Sequence, residues 1–210
     1  MPPQPIDPNA VFLNIPYDEQ FAGLYVAYVV GLYQLDLVPH MASEIPGGRR
    51  RLDRILSLIK NCRYSIHDLS RVEVSVTAAA VPRFNMPLEL GIAIAWESVK
   101  PKAHTWSVWE SERYRLQRST SDLNGSDPYI HEGRAEGVLR ELRNAFWTED
   151  APSVDRMMEV YEFVFRRLGL ILHENQNGSV YERSTFMELC RISSTMTERL
   201  RVSRNGELES

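Results

Sequence analysis

A single carboxylate stands in the otherwise small and apolar run RFNMPLELGIAIAW, which extends from Arg83 to Trp96. This residue, Glu89, follows Asn85 by four positions, a spacing that places both side chains on one face of a helix. Glu89 also lies near the predicted N-terminus of that helix, where the helix dipole favours its negative charge. A fixed carboxylate in a partly dry crevice can stabilise positive charge that develops on a substrate. The plain alternative is an ordinary charged residue near a helix start.

Other polar side chains follow the predicted strands. Tyr17 and Asp18 come after the first strand, and Asp68 and Ser70 come after the third. Because ligands of open parallel sheets bind at the carboxyl ends of the strands, we expect these residues to converge with Glu89 on one crevice. As alternatives, Asp68 caps a turn and Tyr17 packs at an edge. The candidate site residues are Tyr17, Asp18, Asp68, Ser70, Arg83, Asn85 and Glu89.

Several familiar site types have no counterpart in the sequence. Neither GxGxxG nor GxxxxGK[ST] nor GxSxG occurs, so we predict no nicotinamide cofactor, P-loop or nucleophile elbow. The five histidines have no metal-ligand spacing, so we predict no metal site. His67, in a strand, is predicted to be partly buried and hydrogen-bonded. The basic run from Arg49 to Arg51 predicts a solvated loop and helix start, with phosphate contact as the alternative.

Composition limits the class of protein. The chain has 210 residues, of which 43% are hydrophobic and 25% charged, and its net charge of -4 makes a general nucleic-acid binder unexpected. Cys62 and Cys190 lie far apart, which is typical of a reduced cytosolic protein. No apolar run approaches the roughly 20 residues that a membrane span needs. We therefore expect a soluble, cytoplasmic protein without membrane contact.

Strands and helices alternate over the first half of the chain. Buried apolar runs such as VFLNI and YSIHDL predict strands, and amphipathic or apolar segments between them predict helices. The alternation predicts an α/β fold, a flavodoxin-like parallel sheet with helices on both faces, plus a helical C-terminal extension. The predicted domains are a flexible tail at 1–9, an α/β core at 10–150, a helical appendage at 151–203 and a tail at 204–210.

Three segments, VFLNIPYDEQF, ILSLIKNCRYSIHDLSRVE and RFNMPLELGIAIA, together resemble the nucleoside 2-deoxyribosyltransferase-like superfamily. They also resemble the allied Toll/interleukin-receptor-like nucleotide hydrolases, in a bacterial branch of small proteins. The resemblance covers roughly Val11 to Glu110, and its most specific part is IHDLS followed by RFNMPLELG.

The resemblance implies cleavage or transfer at an N-glycosidic bond of a nucleotide or nucleoside, without a cofactor. Glu89 would act on the anomeric carbon, as a nucleophile or as a stabilising charge. Asp68 would handle the base or a ribose hydroxyl. The remaining roles are base-pocket lining by Tyr17 and Asp18, sugar binding or Glu89 orientation by Asn85, and contact with a 5′-phosphate by Arg83. Ser70 completes the substrate-binding set.

The sequence also departs from the transferase pattern. The further acidic residues of that family, and the carboxylate that a neighbouring subunit donates, have no recognisable place here, and residues 70–84 show no acceptor-binding signature. Hydrolysis, with NAD as one substrate, is therefore expected as much as transfer. The resemblance further implies a homo-oligomer or partner-protein complex and a role in bacterial defence. The alternatives are a non-catalytic nucleotide sensor or assembly module on the same fold, and a structural partner protein that docks through its C-terminal helices.

Overall fold

The structure is a computed structural model that describes residues 6–45, 50–72, 83–123, 125–174 and 178–208. Arg49 and most of the predicted loop between Ser70 and Phe84 lie outside these residues. The chain divides into two compact units. The sheet unit comprises Met1–Asp18 and His40–Gly133, and the helical unit comprises Glu19–Pro39 and Arg134–Ser210.

Five parallel strands form one sheet in the order β2-β1-β3-β4-β5. This is the strand order of flavodoxin-like folds, so the predicted fold class is confirmed. The strands are β1 (Asp7–Asn14), β2 (Val38–His40), β3 (Cys62–Asp68), β4 (Thr105–Glu110) and β5 (Tyr129–Ile130).

The register of the strands brings their polar ends to one edge. Asn14, the last residue of β1, pairs with His67 of β3, and Asp68 pairs with Trp109 of β4. Upstream of these ends, β1 is apolar on both sides and its residues from Val11 onward are buried, as expected for a parallel strand. The sheet thus ends in polar residues on several neighbouring strands at once.

Two helices of the sheet unit cover one apolar surface. They are α2 (Arg51–Asn61) and α3 (Asn85–Val99), and a short helix, α4 (Arg115–Ser119), follows β4. One buried cluster joins Phe12 of β1 to Ile59 of α2 and Ala93 of α3. A second cluster joins Met86 and Leu90 of α3 to Val108 of β4. Both clusters tie α3, and with it the ELG segment, to the sheet.

The helical unit is built around α1 (Ala22–Gln34), which is buried on nearly all sides. It packs against α5 (Ala135–Ala145), α6 (Val154–Glu174) and α7 (Arg183–Leu208). The buried side chain of Gln34 donates to the Val30 and Met157 carbonyls, both at 3.4 Å. A helix that is apolar all round needs partners on every side, which explains why α1 joins helices from the C-terminal third.

These units cut the sequence differently from the predicted domains. The boundary near residue 150 does not appear, because α1 and α5 belong with α6 and α7. The predicted tails at 1–9 and 204–210 overlap regular structure, since β1 begins at Asp7 and α7 ends at Leu208. Tyr129 and Ile130 have weak strand character in the sequence. They form β5 because they pair in parallel with β4.

No helix among the described residues has the length and apolar character needed to cross a membrane.

The close packing of α1 on α5 predicts a destabilising substitution. A Cβ added at Gly31 would lie 2.6 Å from Leu142 Cδ1 and 2.7 Å from Leu139 Cδ2, so both buried leucines would have to move. We expect Gly31→Ala to lower the free energy of unfolding by about 1–3 kcal/mol in urea denaturation. The matched control is Gly91→Ala in α3, where nothing lies within 4 Å; it should raise stability by about 0.5–1 kcal/mol. Equal effects at both positions would contradict this packing.

Candidate functional site

Glu89 is a buried carboxylate one turn into α3. Its exposed fraction is 3%, and its Oε1 has no hydrogen-bond partner within the described residues. Burial raises the pKa of Glu89 to about 7, against the opposing effects of the Arg51 charge and the Asn85 side chain. The expectation that the helix N-terminus would hold the ionised form is therefore wrong, because loss of solvent outweighs the helix dipole. An ordinary solvated charge at a helix start is also ruled out.

Asn85 lies one turn before Glu89 on the same face of α3. It is the first residue of α3, and Phe84 holds the capping position without a side-chain hydrogen bond. Residues four apart lie on the same helix face, so the Asn85 amide reaches the Glu89 carboxyl and lowers its pKa. The spacing in the sequence therefore identified this pair correctly.

Tyr17 and Arg51 stand beside Glu89. The Arg51 guanidinium carbon lies 5.5 Å from the centroid of the Tyr17 ring, within the range of a cation–π contact. Burial raises the pKa of Tyr17 to about 12, and the Glu89 charge acts in the same direction. The phenol therefore remains protonated at physiological pH and can donate a hydrogen bond. Tyr17, Asn85, Glu89 and Arg51 form what we call the Glu89 group.

Asp18 and Arg83 pair with each other. Asp18 Oδ2 accepts from Arg83 Nη1 at 2.8 Å and from Arg71 Nε at 2.9 Å. Burial acts to raise the pKa of Asp18, but the hydrogen bonds from Arg83 and Arg71 lower it below its usual value. The carboxylate thus ties the end of the β1 loop to segments after β3 and before α3. Arg83 has a structural partner in addition to any substrate contact.

Asp68 and Ser70 form a turn at the end of β3. Asp68 Oδ1 accepts from the Ser70 backbone N–H at 3.0 Å, which is the turn-capping geometry considered as the alternative for this residue. Asp68 Oδ2 lies 3.2 Å from His131 Nε2, and both side chains are fully buried. The Gly133 N–H donates to His131 Nδ1 at 3.0 Å, so a neutral His131 carries its proton on Nε2, facing Asp68.

A second buried carboxyl, Glu110, ends β4 close to Asp68. Its Oε2 lies 3.5 Å from Arg115 Nη1, which also donates to the Ser70 carbonyl. Burial raises the pKa of Glu110 to about 7; the Arg115 charge lowers it and the Asp68 charge raises it. We call Asp68, Glu110, Arg115 and His131 the Asp68 group. Asp68 and Glu110 end β3 and β4, His131 directly follows β5, and Arg115 is the first residue of α4.

The sheet separates Asp68, but not Glu110, from the Glu89 group. Side chains alternate between the two faces of a strand, so His67 and Asp68 point to opposite faces. His67 bonds to Asn14, which donates to the Met86 carbonyl of α3, and this places His67 on the face that carries α3. Asp68 therefore lies on the other face, whereas Glu110, two residues after Val108, shares the α3 face. The seven candidates fall into three local groups at one sheet edge, and their convergence on one crevice stays a prediction.

Sequence reasoning missed five members of these groups, one of which is Arg71, in the segment that follows β3. Glu110 closes β4 and would have been found by the same strand-end rule that selected Asp68. His131 follows β5, a strand of only two residues that gives almost no pattern. Arg115 lies in a short helix after β4, and Arg51 was interpreted as solvated, which its exposure bears out. The predicted burial of His67 is confirmed.

The fold and the Glu89 group together define a flavodoxin-like α/β protein with a buried carboxyl group near a phenol and a guanidinium. Within the described residues, no three His, Cys, Asp or Glu side chains are arranged to hold a metal ion. Comparison of the chain with protein-family models, curated proteins and solved structures gives no match. The family resemblance therefore rests on the sequence motifs alone.

The raised pKa of Glu89 predicts a pH-dependent stability. As the pH rises from 4.5 to about 7, the unfolded chain releases this proton while the folded protein retains it, so the carboxyl's contribution to stability is lost over this range. Glutamine does not ionise. Relative to wild type, Glu89→Gln should therefore gain about 2–3 kcal/mol between pH 5 and pH 8 in urea denaturation.

The control for this measurement is Glu112→Gln, at an exposed glutamate of the same unit. A gain in this control as large as that of Glu89→Gln would show that the effect does not come from the burial of Glu89. If Glu89→Gln shows one constant offset at both pH values, its carboxyl is not held in a desolvated site.

Proposed function

We propose that the protein cleaves the base–sugar bond of a nucleotide or nucleoside, as an N-glycosidase or (deoxy)ribosyltransferase. The observation that carries the proposal is Glu89, a carboxyl that is 3% exposed and has one oxygen without a hydrogen bond within the described residues. Buried ionisable groups with perturbed pKa values concentrate at functional sites. The ELG motif resemblance supplies the class of reaction.

Glu89 suits the charge that this reaction develops. As the C–N bond breaks, the electron pair leaves with the base and positive charge builds on the sugar. The ionised form of Glu89 stabilises that charge, and a pKa near 7 leaves a substantial fraction of the carboxyl ionised at neutral pH before the substrate binds. Its unpartnered Oε1 can bond to the anomeric carbon as an ester, which water or an acceptor hydroxyl then displaces. Direct stabilisation of the cationic sugar is the variant without an ester.

Tyr17 and Asn85 complete the sugar side of the site. The protonated Tyr17 phenol can donate a hydrogen bond to a ribose hydroxyl, and the Asn85 amide orients the Glu89 carboxyl. Asp68 lies on the opposite face of the sheet, whereas Glu110, whose pKa burial raises to about 7, shares the α3 face and is a candidate acid for a leaving base. A base that is already cationic, such as the nicotinamide of NAD, leaves as a neutral molecule and needs no proton. NAD-type substrates would therefore require only the Glu89 group.

Arg51 is better placed than Arg83 for a substrate phosphate. Arg83 pairs with Asp18, whereas Arg51 is exposed and takes part in no ion pair within the described part of the chain. Its guanidinium lies against Tyr17 and lowers the pKa of Glu89, so it is near the proposed reacting carbon. The proposal also places the protein in the cytoplasm as a homo-oligomer or partner complex serving bacterial defence, as the motif resemblance implies.

Replacing Glu89 tests the reaction. We expect Glu89→Gln to lower release of free base from NAD, or from the active member of a nucleotide and nucleoside panel, by at least about 10³-fold. The measurement is mass spectrometry of the products, with Glu112→Gln as the control at wild-type rate. Base release by Glu89→Gln at a wild-type rate, or no release by wild type from any compound, would refute the enzymatic proposal.

Replacing Arg51 tests the phosphate contact. Arg51→Gln should raise the KM for a phosphorylated substrate about 10-fold or more, since a charged hydrogen bond to phosphate is lost. The KM of the corresponding unphosphorylated nucleoside should not change. The control is Arg113→Gln, at an exposed arginine of the sheet unit. Equal effects on both substrates would place the phosphate elsewhere.

A non-catalytic nucleotide-binding module is the second candidate. A Glu89 carboxyl with a pKa near 7 is partly protonated at neutral pH and can both donate to and accept from a sugar hydroxyl. In this case nucleotides would raise the melting temperature of the wild-type protein and be recovered intact. The same product analysis therefore separates the two candidates.

A further inference from the structure

A series of buried hydrogen bonds runs across the strands on the face of the sheet that carries α3. It ends at the first turn of α3, and the proposed chemistry does not use it. His104 Nδ1 contacts the Cys62 carbonyl at 2.9 Å, and His104 Nε2 contacts Ser65 Oγ at 2.8 Å. Ser65 Oγ also contacts His67 Nε2 at 2.8 Å. Beyond it, Asn14 Nδ2 lies 3.0 Å from His67 Nδ1 and 3.0 Å from the Met86 carbonyl. We call this series the histidine chain.

The proton order in the histidine chain follows from its first contact. The Cys62 carbonyl can only accept, so His104 donates from Nδ1. A neutral His104 then accepts on Nε2 from the Ser65 hydroxyl, whose single proton is thereby used. Ser65 Oγ must accept from His67 Nε2, and His67 Nδ1 is left as an acceptor. Each group fixes the role of the next.

The far end of the chain requires the same order independently. The Met86 carbonyl also can only accept, so Asn14 must present its amide nitrogen there. The second proton on that nitrogen points to His67 Nδ1, which the order above leaves without a proton. Two carbonyls at opposite ends thus agree on one arrangement.

Both imidazoles in the chain are neutral. Burial lowers the pKa of His67 to about 3, and His104 acts in the same direction. Burial also lowers the pKa of His104. The polar side chains of the chain are all at most 4% exposed, so water does not compete for their hydrogen bonds. In such surroundings an unmatched donor or acceptor is costly, which makes the arrangement rigid.

We propose that the histidine chain positions the first turn of α3, and through it the Glu89 carboxyl, with Asn14 as the direct link. Met86, whose carbonyl receives the Asn14 amide, lies three residues and about one turn before Glu89. The inference rests on the proposed function for its catalytic meaning, whereas its structural part stands alone. Asn14, His67 and Ser65 are positioning residues, since none of them contacts the reacting atoms in this account.

The proton order is tested by nitrogen-15 NMR of the imidazole rings. His104 should be in the Nδ1–H form and His67 in the Nε2–H form, and His67 should stay neutral down to about pH 5. The opposite form at either histidine would overturn the chain as described.

The positioning role is tested by Asn14→Leu, which removes both donors at similar volume. We expect the pKa of Glu89, followed by carbon-13 NMR, to fall by more than about half a unit as α3 loosens and water reaches the carboxyl. We expect kcat for base release to fall about tenfold while KM changes less than about twofold. Ser65→Ala breaks the link between the two imidazoles and should also lower the Glu89 pKa and kcat. It replaces Asn14→Leu in the test if that variant does not fold. The control is Ser107→Ala on β4, whose hydroxyl donates to the Ser65 backbone carbonyl and accepts from Trp109 Nε1, so that the hydrogen bonds of the histidine chain stay intact.

The outcomes separate the two proposals. If the variants shift the Glu89 pKa but the wild-type protein releases no base, the result would support positioning and refute the proposed reaction. Base release that is unchanged in the variants, together with an unchanged Glu89 titration, would refute positioning and leave the reaction intact. A loss of melting temperature alone, without a change in kcat or in the Glu89 pKa, would mean that the chain only stabilises the fold.

Discussion

The burial of Glu89 is the constraint on which the site depends. Its helix packs on the sheet through Met86, Leu90 and Ala93, and the Glu89 side chain is left with an exposed fraction of only 3%. The Arg51 charge and the Asn85 side chain offset only part of the lost solvation. A carboxyl held in this way lowers stability when it ionises. Such a cost is expected where a side chain is kept for its chemistry and is unusual where it serves packing alone.

The sheet itself imposes the second constraint. Because side chains alternate along β3, His67 faces α3 and Asp68 faces away from it. One strand therefore serves two polar groups: the neutral histidine chain beneath α3, and the Asp68 group with its second buried carboxyl, Glu110. This division means that the Glu89 group can stabilise a cationic sugar without help from Asp68. Glu110, which shares the α3 face, is the carboxyl that could give a proton to a leaving base that needs one.

Much of this arrangement was readable from the sequence, and the exceptions have physical causes. Buried apolar runs identified β1 and β3, and the strand-end rule selected Asp68, because those patterns are local. The partners of α1 were not predictable, since an all-round apolar helix does not say which helices will cover it. His131 was missed because β5 has two residues and exists through its pairing with β4. The raised pKa of Glu89 was missed because burial is a property of packing, whereas the helix dipole can be inferred from position.

The most direct test of the account compares two titrations of one protein. The pH dependence of kcat/KM for base release reports ionisations of the free enzyme, and carbon-13 NMR reports the ionisation of Glu89 itself. The account predicts that activity rises with pH through a midpoint near 7 and that the Glu89 titration has the same midpoint. Activity that stays constant through this range, or a Glu89 midpoint near 4.5 in the folded protein, would contradict the claim that a buried Glu89 carboxylate carries the reaction.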